Sequence, residues 1–332
     1  MTKSVTPKKW TTELVQQHAQ VAVAVELYTL PFYITAMTSV RDTDSEPYKI
    51  IRSVLVEEML HLQLTANLCL ALDTVPDFRP PQYSLDIPYF KSYDPETGDQ
   101  GIFNVSLGPL NSDILNTMLD IETPEDLWVR QNVDHSMSCF PYNSIGEMYD
   151  ALIIGISHVG ANCFSWTTKH QQEHWPAQDF PQIISNYSDA QQAIQALVHQ
   201  GEGHVFNENL SPPPWTEKNF IIPSHYQLKN DPFDPAPYNK YAHFGRFIQI
   251  KNNTLPHIYT GFDEPQHMTN KTLQQNFYKL LIMLETLWED GSVGVDSSEA
   301  LWKEIMIISS RLIPNAQACW QAEVIPNWFI AQ

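Results

Sequence analysis

One stretch, from Pro47 to Leu72, constrains the fold more than any other part of the chain. Its apolar residues recur every three or four positions, which predicts a helix with one face in a core. These residues are Ile51, Val54, Leu55, Leu62, Leu68 and Leu72. Glu58 and His61 lie inside this apolar face, one helical turn apart. Because a buried carboxylate without a partner costs several kcal/mol or loses its charge, other groups must meet this pair inside the protein.

The Glu58–His61 pair has two interpretations. On a helix of a bundle, Glu-x-x-His is a ligand pair of dinuclear carboxylate metal sites. The same spacing also arises by chance, and a hydrogen-bonded pair in a core without metal is then the commoner case. The choice depends on whether other apolar helices carry matching carboxylates.

The composition is that of a globular protein with a sizeable core and few charges. Its 332 residues suffice for one large domain or two ordinary ones. The formal net charge of −19 would repel phosphate backbones and anionic membranes, so we expect neither nucleic acid nor a membrane as a partner. The four cysteines lack CxxC spacing, which argues against zinc clusters and redox motifs. With no apolar signal region and no apolar run of 18 residues, the expected location is the cytoplasm.

The N-terminal part of the chain carries a carboxylate in an apolar run. A helix is predicted from Thr11 to Leu30, and it either ends or kinks at Pro31 or continues to Val40. Glu26 is the one charge in the segment VAVAVELYTL of this helix. We expect Glu26 to be buried at a depth similar to Glu58, since a short connection favours antiparallel neighbours. A solvent-facing position on the helix edge is the alternative.

A third helix is predicted from Ser144 to Phe164, with Glu147 near its beginning. Ser144 and Glu147 match the capping box S-x-x-E, a purely structural role. The alternative is that Glu147 points into the bundle as a metal ligand. The residues alone do not distinguish the two roles.

Two later helices end or begin at candidate site residues. A fourth helix, Ser188–Gly203, is expected to be capped by Ser188 and to end in Gly-Glu-Gly. Glu202 in this ending is either an exposed residue of a glycine C-cap or a carboxylate that approaches a site closely. A fifth helix, Tyr241–Ile250, carries His243 on an aromatic face, as a ligand or as a core histidine. Arg246 on the same helix could hold a carboxylate or face solvent.

Two turn-rich, Pro-rich segments, at about 74–143 and 205–238, are predicted to be inserted between helices. In the first segment we expect short strands around Phe103–Leu107 and a short helix near Ser112–Leu119.

Amphipathic helices are predicted at Thr272–Asp290 and Ser297–Pro314, without any catalytic pattern. We expect residues 1–260 to form the bundle with its inserts, and residues 261–332 to pack on the same domain. The C-terminal helices either enclose the bundle or form the contact of a homo-oligomer.

Together the helices supply four carboxylates and two imidazoles in apolar surroundings. These are Glu26, Glu58, His61, Glu147, Glu202 and His243. This set matches the ligands of a dinuclear site in a four-helix bundle. Oxygen and nitrogen donors without thiolates suit iron and manganese, and four carboxylates would neutralise two divalent ions in a core of low dielectric constant. We therefore expect two iron ions as the cofactor, with manganese as the alternative.

The segments QVAVAVELYTLPFY, VEEMLHLQLTANL, SIGEMYDAL, QGEG and HFGRFIQI carry these six residues. In this order they resemble the ferritin-like domain of the iminophenyl-pyruvate dimer synthase family, from about Thr11 to Ile250. The resemblance implies an all-α fold, a ferritin-like four-helix bundle with long Pro-rich insertions and extra C-terminal helices. It also implies that the six residues are the metal ligands.

One position departs from the ferritin-like pattern. The last helix of such a bundle normally carries a second Glu-x-x-His, but the residue three before His243 is Lys240. We expect Glu202 to supply the missing carboxylate, with the Pro-rich insertion interrupting the fourth helix. Otherwise the site is mononuclear, holds another metal or is degenerate. Glu57 is a spare carboxylate beside Glu58.

Three functions are compatible with these features. The first, implied by the resemblance, is a di-iron oxidoreductase of secondary metabolism that uses dioxygen or peroxide to oxidise or couple a small aromatic or amino-acid-derived molecule. Aromatic residues such as Tyr149 would then line a pocket beside the metals. The second is a non-enzymatic iron-handling protein. The third is a partner-binding bundle that has lost its metal, which Lys240 favours.

Overall fold

The fold is known from a computed structural model, which describes residues 9–83, 86–93, 100–124, 127, 142, 144–175, 178–203, 215–229, 238–290 and 308–329. Its helices are α1 (Thr12–Thr38), α2 (Glu46–Ala71), α3 (Ser112–Ile121), α4 (Ile145–Val159), α5 (Tyr187–Gln200), α6 (His243–Lys251), α7 (Met268–Asp290) and α8 (Ile313–Gln321). Strands β1 (Asp86–Tyr93) and β2 (Gln100–Asn104) form one antiparallel hairpin. The all-α fold class is confirmed, with this hairpin as an addition in the first predicted insert.

Helices α1 and α2 form a long antiparallel pair at the centre of the protein. Thr11 caps α1, because its side chain accepts a hydrogen bond from the backbone N–H of Leu14 at 3.2 Å. Of the two alternatives at Pro31, continuation is found, since α1 runs unbroken to Thr38. A proline inside a helix removes one backbone hydrogen bond. Here nearly every residue on both sides of Pro31 is buried, so packing holds the helix together across it.

The length and composition of α1 would also suit a membrane span. In the structure, 94 % of its most apolar 18-residue window is buried against the rest of the protein. Helix α1 is therefore packed as a core helix.

Four helices close a bundle in which α1 contacts α2 and α4, while α5 contacts both α4 and α2. Helix α4 is capped by Ser144, as expected, and ends at Val159, five residues before the predicted end. The prediction that Ser188 caps α5 is wrong. The cap is Asn186, whose side chain accepts from the backbone N–H of Asp189 at 3.0 Å. Asn186 has the extended backbone that a cap requires, whereas Ser188 is already helical.

The remaining helices cover this bundle. Helix α6 packs on α2 and α3, α7 contacts α2, and α8 contacts α1 and α7. The short helix expected near Ser112–Leu119 is confirmed as α3. Part of the predicted helix Ser297–Pro314 lies outside the described residues. Its described end differs from the prediction, because Pro314 stands in the first turn of α8 and does not end a helix.

Two tryptophans tie the C-terminal segment to α1 at one threonine. Trp320 donates its indole N–H to the backbone carbonyl of Thr35 at 3.1 Å, and Trp328 donates to the Thr35 hydroxyl at 2.8 Å. All three residues are buried. The C-terminal segment thus packs directly on the bundle, while the predicted division of the chain at residue 260 stays a prediction.

Asn67 of α2 joins three parts of the structure through one buried amide. Its Nδ2 donates to the carbonyl oxygens of Gln172 and Gln182 at 2.6 and 3.0 Å. Its Oδ1 accepts from the Gln172 backbone N–H and from the Trp288 indole, both at 2.9 Å. Asn67 is 0 % exposed, so no water replaces these bonds.

We expect Asn67→Leu to lower the free energy of unfolding by about 3 to 5 kcal/mol, because it leaves several buried donors and acceptors unpaired. Urea denaturation followed by circular dichroism measures the change. Asn253 is an exposed asparagine, and within the described part of the chain its side chain bonds locally, to the Gln249 carbonyl. Asn253→Leu is therefore the matched control and should stay within about 0.5 kcal/mol. Equal losses in both variants would contradict the structural role of Asn67.

Candidate metal centre

Four of the six residues proposed from the sequence meet in the interior of the protein. Glu26 comes from α1, Glu58 and His61 come from α2, and His243 is the first residue of α6. All four are buried. Within the described parts of the chain, Glu58, His61 and His243 offer ligand atoms that all lie within 4.8 Å of one another. The buried alternative for Glu26 is thus the one that is found.

Glu58 lies between the two imidazoles and turns one carboxylate oxygen toward each. Its Oε1 is 2.9 Å from Nδ1 of His243, and its Oε2 is 3.7 Å from Nδ1 of His61. The two rings are stacked with centroids 5.3 Å apart. Glu58 Oε2 also accepts a hydrogen bond from the Thr29 hydroxyl at 3.0 Å. This position is suited to a carboxylate shared by two cations.

Each imidazole faces one further carboxylate. Glu26 Oε2 lies 3.5 Å from Nδ1 of His61, and Glu122 Oε2 lies 3.6 Å from Nδ1 of His243. We call His61, Glu26 and Oε2 of Glu58 the His61 half. His243, Glu122 and Oε1 of Glu58 form the His243 half.

A tyrosine hydroxyl holds the outer carboxylate of each half. Tyr149 donates to Oε1 of Glu26 at 2.5 Å, and Tyr33 donates to Oε1 of Glu122 at 2.5 Å. In both carboxylates Oε2, the other oxygen, remains directed at an imidazole. The two halves therefore repeat one arrangement of an imidazole, a carboxylate and a tyrosine.

The far nitrogen of each imidazole is also held. Nε2 of His61 lies 2.9 Å from Oε1 of Gln200, whose Nε2 donates to the Tyr226 carbonyl at 2.6 Å. The amide oxygen of Gln200 thus faces the ring, which assigns the proton to Nε2 of His61. Nε2 of His243 lies 2.9 Å from Oε2 of Glu57. Groups of this kind behind a histidine fix its orientation and leave Nδ1 for a metal.

Arg246 fixes Glu57 in turn. Its Nη2 lies 2.8 and 2.7 Å from the two carboxylate oxygens, and its Nη1 donates to Ser53 at 3.1 Å. Burial alone would raise the pKa of Glu57, but Arg246 and His243 together outweigh burial and lower it. Arg246 is 0 % exposed, so the alternative of a solvent-facing arginine is wrong.

Burial and neighbouring charges shift the pKa values of the other charged residues of the centre. Burial raises the pKa of Glu26 to about 7 despite its contact with His61. Burial would lower the pKa of His61, yet its contacts with Glu26 and Glu58 raise it to about 10. Burial would raise the pKa of Glu58, and the neighbouring imidazoles of His243 and His61 instead hold it well below its usual value. The buried carboxylates thus require positive charge nearby, and protonated imidazoles provide it when no cation is bound.

One buried nitrogen atom indicates that these residues suit a metal ion. Among the residues that the structure describes, Nδ1 of His243 finds no hydrogen-bond partner. Although Oε1 of Glu58 is only 2.9 Å away, the contact does not have the angles of a hydrogen bond. A buried ring nitrogen beside carboxylate oxygens is satisfied by a cation that both can ligate. The donor set of oxygen and nitrogen suits iron and manganese.

The structure places Glu202 against the first turn of α4. Its Oε1 accepts from the backbone N–H of Gly146 at 2.7 Å, where the helix dipole favours a negative charge. A Cβ at Gly146 would lie 2.5 Å from Oε2 of Glu202, so this contact requires glycine. Glu202 is 2 % exposed, which makes the exposed alternative wrong. Gly203, with φ of +70°, ends the turn after α5, as the C-cap interpretation expects.

Glu147 is buried in the first turn of α4, and its backbone N–H bonds to the Ser144 cap. Neither Glu147 nor Glu202 belongs to the compact group of ligand atoms around Glu58. Their roles as metal ligands stay predictions.

Glu122 was missed from the sequence because it lies in the turn-rich segment after α2. It follows α3 directly, as the C-cap residue. A negative charge at the C-terminal end of a helix is unfavourable, so its position was a signal that Glu122 has another role. In the structure Glu122 lies beside His243. The ferritin-like pattern expects a glutamate three residues before His243, but Lys240 occupies that position.

The comparisons with known proteins agree with this architecture. A solved structure described as a ferritin like protein from Caulobacter vibrioides superimposes with a TM-score of 0.70 and 24 % identity, covering 97 % of this chain and 100 % of that one. At this identity the likeness shows a shared fold. No curated protein matches the chain. The family model described as ferritin-like matches residues 19–252, more than half of the sequence. The chain therefore belongs to the ferritin-like family.

Proposed function

We propose that this protein is a dinuclear metal oxidoreductase that uses iron, with manganese as the alternative. The observation that carries the proposal is the position of Glu58, which turns one oxygen toward each of two buried imidazole nitrogens. A hydrogen-bonded core pair would need one imidazole. Two cations would instead need two imidazoles, an outer carboxylate beside each imidazole, and one carboxylate shared between them.

Five residues would hold the metals: Glu26, Glu58, His61, Glu122 and His243. Once bound, the ions would supply redox chemistry with dioxygen or peroxide as the oxidant. The protein's own contribution is positional. Tyr149 and Tyr33 orient the outer carboxylates, while Gln200 and Glu57 keep Nδ1 of each imidazole facing the centre.

The substrate is proposed from the resemblance of the sequence motifs to the iminophenyl-pyruvate dimer synthase family. On this basis the chain belongs to that branch of the ferritin-like family and oxidises or couples a small aromatic or amino-acid-derived molecule in secondary metabolism. The expected cytoplasmic location and a homo-oligomeric state are part of the same proposal.

The partner-binding alternative rested on Lys240, the residue that interrupts the ferritin-like pattern. In the structure the Lys240 ammonium lies over the Tyr241 ring, 4.9 Å from its centroid. Glu122 provides the carboxylate beside His243 from another segment. Because Glu122 takes the role expected of a glutamate at position 240, Lys240 no longer argues for a site that has lost its metal.

We expect the wild-type protein to retain about two ions of iron or manganese per chain, because the five ligand residues form two adjacent halves. Glu58→Gln should retain less than one, since both halves lose the shared carboxylate. Metal analysis after gel filtration measures the content. Glu46→Gln removes an exposed carboxylate from the same helix and should leave the content unchanged. A wild-type protein without metal would overturn the proposed function.

Exposure to excess Fe²⁺ in air should distinguish an oxidoreductase from an iron store. We expect bound iron to stop at about two ions per chain, since the centre is enclosed by α1, α2 and α6 and ligates a fixed number of ions. Iron counted after desalting and dioxygen consumed in an electrode cell are the two readings. Continued accumulation of iron far beyond two per chain would support the iron-handling alternative instead.

A further inference from the structure

The two halves of the centre differ in what stands behind each imidazole. His243 is backed by the carboxylate of Glu57, and His61 is backed by the neutral amide of Gln200. Each half also has one outer carboxylate, one tyrosine and one oxygen of Glu58.

A carboxylate behind a ligating histidine strengthens metal binding more than a neutral acceptor does. Its negative charge increases the electron density on the opposite ring nitrogen and fixes the ring in the ligating orientation. Glu57 is itself immobilised by two bonds from Arg246, and both residues are 0 % exposed. The His243 half is therefore the more strongly preorganised one.

The shared carboxylate adds to this difference. Thr29 donates a hydrogen bond to Oε2 of Glu58, the oxygen that belongs to the His61 half. An oxygen that already accepts a hydrogen bond offers less electron density to a cation. The His61 half thus has both the neutral amide of Gln200 behind its imidazole and the oxygen of Glu58 that is the weaker ligand.

We propose that the two halves bind metal in a fixed order, the His243 half first and tightly, the His61 half second and weakly. This inference rests on the proposed dinuclear function. Its consequence is regulatory, because the centre is complete only when free metal exceeds the dissociation constant of the His61 half. The fraction of active protein then follows metal supply, and the ion in the His61 half is the exchangeable one.

Calorimetric titration of the metal-free protein with Mn²⁺ alone tests this order. We expect two steps of one ion each, with dissociation constants that differ by about 10-fold or more. Glu122→Gln should abolish the tight step, and Glu26→Gln should abolish the weak step. Both substitutions keep an oxygen that can accept the tyrosine hydrogen bond, so the surrounding structure is preserved.

Two further variants test the groups behind the imidazoles. Gln200→Met should weaken the weak step by about 10- to 100-fold and leave the tight step within about 3-fold, whereas Glu57→Gln should weaken the tight step. Because Glu57→Gln leaves Arg246 without its carboxylate, Gln200→Met is the deciding variant. Gln192→Met, at an exposed position of the same helix, is the matched control and should change neither step. Melting curves of the metal-free variants verify that each is folded.

The outcomes separate the inference from the function on which it rests. Two ions of equal affinity, or equal weakening of both steps by Gln200→Met, overturn the order and leave the dinuclear function intact. The reverse assignment of the steps to Glu26 and Glu122 also overturns the order. No Mn²⁺ binding, or one ion per chain, overturns the dinuclear function and the order together.

Discussion

The burial of negative charge at Glu58 is the constraint on which the rest of the structure depends. This carboxylate lies in the interior with Glu26, Glu57 and Glu122, and one buried arginine, Arg246, forms an ion pair with one member of the group. A core cannot hold such a group unless imidazolium protons or cations supply the missing positive charge. The helices that meet here are accordingly placed so that every carboxylate contacts a donor or an imidazole.

The bundle alone does not complete this arrangement. Helices α1 and α2 provide one half, but Glu122 arrives from the end of α3 and His243 from the start of α6. Both lie in or after the segments that interrupt the simple four-helix pattern. The additions to the bundle thus supply one of the two imidazoles and one of the outer carboxylates, and α6 also brings the arginine that fixes Glu57.

The fold and part of the centre could be predicted because they depend on local patterns. The apolar face around Glu58 and His61 predicted α2 to within one residue at each end, and the same reasoning identified Glu26 as buried. Glu122 could not be found in this way, since no periodic pattern connects a helix C-cap to a histidine more than a hundred residues later. The sequence pattern predicts Ser188 as the cap of α5, whereas Asn186 is the cap; both residue types favour caps, and only the backbone conformation distinguishes them.

The attachment of the C-terminal segment at Thr35 has a consequence for biosynthesis. Thr35 lies on the same helix as Tyr33, two residues away, and Tyr33 holds the outer carboxylate of the His243 half. Trp320 and Trp328, the partners of Thr35, follow it in the chain by 285 and 293 residues. Helix α1 therefore obtains its final packing only after these two tryptophans have been synthesised. A shortened chain that ends before Trp320 would contain all five proposed ligands and yet lack the contacts that order the helix beneath them.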